Sequence, residues 1–66
     1  MKVKKCILIG EPAKTNATSG NWKIQRRTTI ETGDGTERVF DDFLHTYRRK
    51  DAENIISIYK HNGLYQ

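Results

Sequence analysis

A chain of 66 residues is one domain, and at that length folding buries only about 60% of the unfolded surface, so a lone fold is marginal. With 35% hydrophobic and 30% charged residues the composition excludes a disordered tail, and no apolar run approaches the ~18 residues of a membrane span. The net charge of +4 is lopsided: residues 1–30 carry seven basic side chains against Glu11 alone, a net of +6, while residues 31–66 carry five basic and seven acidic groups, a net of −2.

The single cysteine, Cys6, rules out an internal disulfide. Self-association or a tightly packed core then remains as the staple that small folds need. Lys2, Lys4 and Lys5 precede only four apolar residues, Cys6 to Ile9, too few for a secretory signal. The expectation is a cytoplasmic protein, in which the Asn16-Ala17-Thr18 sequon has no meaning.

In chain order, residues 3–9 read as a strand rich in β-prone Val3, Ile7 and Ile9, stopped by Gly10-Glu11-Pro12. Residues 13–21 are small and polar and read as a loop. Residues 22–31 alternate, with Trp22, Ile24, Thr28 and Ile30 on one parity and Lys23, Gln25, Arg27 and Thr29 on the other, the mark of a half-buried strand. Arg26 falls on the apolar parity, which signals a bend, an edge or a functional exposure. Gly33-Asp34-Gly35 makes a tight turn.

Residues 37–49 are ambiguous. Val39, Phe40, Phe43, Leu44 and Tyr47 form one helical stripe, with acids early and Arg48, Arg49 and Lys50 late, in the order that complements a helix dipole. The same stretch reads as the second arm of a hairpin, with residues 36–47 as a third strand. Helix is favoured. Residues 52–61 form a clearer helix, with Ala52, Ile55, Ile56 and Tyr59 in one stripe, Asp51 as N-cap and Asn62-Gly63 as C-cap, and Leu64 folding back on the last turn. The two stripes differ in phase by roughly 140°, so the chain breaks near Lys50. The expected class is α+β: a small antiparallel sheet of residues 3–9 and 22–31 packed against helices 37–49 and 52–61, with βββα as the alternative.

Few motifs carry chemistry. Gly10 to Thr15 has a strand, a glycine and a Lys-Thr pair, but only three residues separate Gly10 from Lys14, and neither the second glycine nor a following helix of a phosphate-binding loop is there. Asp41, Asp42 and His45 would lie one helical turn apart, yet lack the third or fourth ligand a metal needs; they read as a solvated face. Cys6 reads as a small core residue. No catalytic constellation, cofactor motif or metal site is expected.

The best signal is Trp22-Lys23-Ile24-Gln25-Arg26-Arg27, supported by Lys2, Lys4, Lys5 and Lys14, because clustered Lys and Arg recognise phosphate and an adjacent aromatic can stack a base. The expected function is a non-catalytic binding protein for a phosphate-bearing or acidic partner, nucleic acid among them, through Lys14, Trp22, Lys23, Arg26 and Arg27, with Arg48 and Arg49 added. Two alternatives stand beside it. One is a small phage-type inhibitor or regulator that meets a basic host protein through Asp34, Glu37, Asp41 and Asp42. The other is a homo-oligomer that sequesters a nucleotide-like ligand. Both the asymmetric charge and the basic strand are equally what ordinary solubility produces, with Trp22 and Ile24 as core.

Overall fold

The computed structural model describes residues 2–16, 18 and 20–66. Ala17 and Ser19, within the expected 13–21 loop, lie outside the described residues, and Ala17 takes the middle of the sequon with it. Three strands, β1 (Lys2–Lys14), β2 (Trp22–Glu31) and β3 (Glu37–Thr46), precede one helix, α1 (Arg49–His61). The sheet is antiparallel in the order β1-β2-β3, so the alternating, arginine-bearing strand sits in the middle.

The class is the expected α+β, in its βββα form. Residues 37–46 are strand, not the favoured helix. Cross-strand pairing explains the outcome. The turn at Gly33-Asp34-Gly35 closes a hairpin whose register sets Leu44 opposite Ile24 and the β-unfavourable Asp41 and Asp42 opposite Arg27 and Arg26. The residues of the supposed helical stripe then split by parity, Val39 and Phe43 on one face, Phe40 and Leu44 on the other.

β1 also runs past its expected end. Gly10 takes φ +74 and the register slips between Ile9 and Ala13, so Gly10-Glu11-Pro12 forms a bulge that bends the strand rather than stopping it. Just ahead of β2, Gly20 lies close against the end of β3: a Cβ on it, at φ +154, would meet the carbonyl oxygen of Thr46 at 2.5 Å. No side chain fits there.

The helix begins at Arg49, three residues before its expected start, with Arg48 as N-cap; Asp51, the expected cap, lies inside the first turn. Its end matches expectation. Leu64 N–H donates to the Tyr59 carbonyl (2.8 Å) and Gly63 N–H to that of Lys60 (3.1 Å), the paired bonds of a Schellman cap. Sequence periodicity gives no sign of the segment beyond this cap. Leu64–Gln66 lies parallel to β1, exchanging backbone hydrogen bonds with Leu8 and Gly10, while Tyr65 Oη donates to the Gly10 carbonyl at 2.6 Å. That tail covers the middle of the β1 edge.

The core is small. Leu8, Ile24 and Ala52 are fully buried, and Leu44, Ile55, Ile56, Tyr59 and Tyr65 pack around them. Burying a Leu or Ile side chain contributes roughly 1.5–3 kcal/mol. The helix covers one face of the sheet; no described element covers the other.

Candidate functional site

Strand alternation decides where the basic side chains go. By register, Trp22, Arg26 and Ile24 share the helix-covered face, while Lys23 and Arg27 share the open one. The six-residue basic stretch is therefore divided between two surfaces. Both arginines are also engaged by the chain's own carboxylates. Arg26 meets Asp42 through two bonds, Nε to Oδ1 at 2.9 Å and Nη2 to Oδ2 at 2.6 Å. Arg27 meets Asp41 likewise, at 2.9 and 3.2 Å. These bonds hold both guanidinium groups above their ordinary pKa and both carboxyls below theirs. Lys23 lies with its ammonium 4.4 Å from the centre of the Phe43 ring, on the open face.

The acidic set is answered internally as well. Glu37 pairs with Lys4 (2.6 Å), Asp41 with Arg27 and Asp42 with Arg26. Asp34 accepts from the hydroxyls of Thr32 and Thr36 and from the Thr36 N–H inside the hairpin turn, which lowers its pKa to about 2. Asp41 and Asp42 point to opposite faces of β3, and His45 lies four strand residues beyond Asp41 on the same face, roughly 13 Å along, so the one-turn spacing of a helix does not arise. Among the described residues no three metal-ligating side chains gather.

A different subset of the expected residues does come together. The register sets Lys14 directly beside Trp22, and Trp22 beside Thr46. Two residues later the chain turns into α1, which brings the Arg49 guanidinium to 5.5 Å from the centre of the Trp22 ring. One end of the molecule thus carries Lys14, Trp22, Arg48 and Arg49, with Lys50 next in sequence. Lys2, Lys4 and Lys5 lie at the opposite end of β1, about nine residues or roughly 30 Å along the sheet.

The electrostatics of this end reverse what the sequence suggested. Arg48, Arg49 and Lys50 sit at the start of a helix, not at the end of one, so the dipole opposes them instead of favouring them. Arg48 supplies no side-chain acceptor as N-cap, leaving the first-turn N–H groups without a capping side chain. Asp51 and Glu53 offset part of the charge, at 3.3 Å from Arg48 and 3.1 Å from Arg49, but both pairs are well exposed and screened. Lys14 makes no ion pair among the described residues.

Cys6 is half-buried beside the Thr28 hydroxyl (3.8 Å) and lines a cavity of about 320 Å³ with Val3, Ile58, Tyr59 and Leu64, between β1 and the end of the helix. No histidine or carboxylate lines that cavity. No helix is long and apolar enough to cross a membrane among the described residues. Comparison with known proteins gives no match to a family model, to a curated protein or to a solved structure.

Proposed function

We propose that this protein is a non-catalytic binding module, acting in the cytoplasm, that recognises a phosphate-bearing partner, nucleic acid foremost, through the end formed by Lys14, Trp22, Arg48 and Arg49. The observation that carries this reading is the Arg49–Trp22 stack at an uncapped helix start, with Lys14 alongside. Cations placed against a helix dipole cost stability unless an anion joins them. A phosphate there would accept from backbone N–H groups and from the Arg forks at once. The indole gives a nucleobase a flat surface on which to stack. Arg26, Arg27 and the acids of β3 drop out of the binding set because they satisfy one another. The lone half-buried cysteine supports a reducing compartment.

The test is fluorescence anisotropy of a labelled single-stranded oligonucleotide across a salt series. Tight binding at low salt should weaken steeply as salt rises. Lys14→Ala, Arg48→Ala and Arg49→Ala together should flatten the log–log slope by roughly 2, at ~0.7 per phosphate contact. Binding that ignores salt, or that survives the triple substitution unchanged, rejects the reading.

A further inference from the structure

We propose that β3 is a homodimer interface, along which two copies of the chain pair antiparallel about a two-fold axis through Phe40. β3 is a ten-residue edge strand whose outer side no described segment covers. Such an edge is a template for another strand. It also carries apolar side chains on both faces, Val39 59% exposed and Phe40 and Phe43 each 47% exposed, while the buried apolar residues described are only Ile7, Leu8, Ile24 and Ala52. A fold with that little interior gains most from burying more.

The charge pattern selects the occupant and the register. Charged edge residues normally repel a second strand. Here each acid of β3 has a basic neighbour in its own sheet, Glu37 Lys4, Asp41 Arg27 and Asp42 Arg26, in part-exposed pairs that lower its repulsion of a second strand without removing it. Arg38 is the exception: it makes no ion pair among the described residues. Antiparallel self-pairing that keeps the faces in register must be centred on a residue. Centring on Asp41 or Asp42 sets that carboxylate against itself, and centring on Val39 sets Glu37 against Asp41 of the other copy. Centring on Phe40 opposes no like charges. It sets each Arg38 opposite Asp42 of the other copy, and Phe40 opposite its own counterpart, with both helices on one side of a six-stranded sheet. No other centre within β3 places Arg38 opposite a carboxylate. Cross-strand aromatic and opposite-charge pairs are the contacts that stabilise such a seam.

This interface does not depend on the phosphate reading, and neither falls with the other. It does set the two Trp22 ends at opposite extremes of the assembly, roughly 40 Å apart along the strands at ~3.4 Å per residue.

Sedimentation velocity at micromolar to millimolar protein should show a dimer, and Arg38→Glu, at an exposed position, should raise its dissociation constant by about tenfold or more. Register is read in a Cys6→Ser background with oxidised glutathione as oxidant. Phe40→Cys should form a symmetric intermolecular disulfide, since facing strand residues lie within disulfide reach. Phe43→Cys should not. Circular dichroism confirms that each variant is folded. A monomer throughout the concentration range overturns the proposal, as does a dimer cross-linked by Phe43→Cys and not by Phe40→Cys.

Discussion

Arg26 on the central strand and Asp42 on the edge strand face each other directly in the sheet register and close a two-pronged ion pair at 2.9 and 2.6 Å. The arginine is the more buried partner, its side chain 29% exposed. It occupies the parity on which Trp22 and Ile24 sit, and it is tolerated there because Asp42 neutralises it.

Removing the acid should therefore hurt more than the exposed look of the pair suggests. Asp42→Ala leaves Arg26 half-buried without its partner and should cost about 1 kcal/mol, discounted for solvent screening. For a domain of this size that is a fall in Tm of roughly 4–8 °C. Thermal denaturation of Asp42→Ala beside the exchange Arg26→Asp with Asp42→Arg checks it: the exchange should recover part of the loss. Equal damage in both would show that the pair does not act as a pair.

Of the five glycines, Gly20 is the least able to take a side chain. Its Cβ would stand 2.5 Å from the Thr46 carbonyl oxygen, which is backbone and cannot step aside. Gly20→Ala should destabilise the fold by roughly 1–3 kcal/mol through strain, read as a lower urea midpoint at an unchanged slope. Gly33→Ala, whose added carbon meets nothing, is the control.

Acid stability should depend on the hairpin turn. Asp34 ionises at about 2 in the folded chain against an ordinary value of 3.8, because the hydroxyls of Thr32 and Thr36 bond its charged form. A carboxyl with a lowered folded pKa contributes stability that is complete above its unfolded value and lost as pH falls through its folded value. Asp41 and Asp42 are shifted in the same direction by their arginines. Tm should hold steady above about pH 4 and drop between pH 4 and 2. Asp34→Asn should shallow that drop, as measured by circular dichroism across the range.

Local signals read well where a single element decides the outcome. Alternation locates β2, and the Gly33-Asp34-Gly35 turn and the Asn62-Gly63 cap follow from backbone chemistry alone. Residues 37–46 defeat a local reading because Val39, Phe40, Phe43 and Leu44 have helical spacing and no strand alternation, and only pairing with β2 overrides that pattern. The C-terminal segment Leu64–Gln66 is invisible in the sequence for a similar reason: three residues hold no periodicity, and their partner, β1, is about 55 residues away in the chain. The site is partly legible. Trp22, Lys14, Arg48 and Arg49 stand out individually, but which basic residues meet depends on register. Register sends Lys23 and Arg27 to the far face, while Asp41 and Asp42 take both strand arginines out of play.

Phosphate is proposed to meet the Trp22 end rather than the open sheet face. Amide and indole chemical-shift mapping with a short single-stranded oligonucleotide tests it most directly, because Trp22 is the chain's one indole. Saturable shifts are expected at the Trp22 ring N–H, at Lys14 and at the first-turn amides of residues 49–51. Shifts confined to Lys23, Arg27 and their open-face neighbours, or none at low salt, would contradict it.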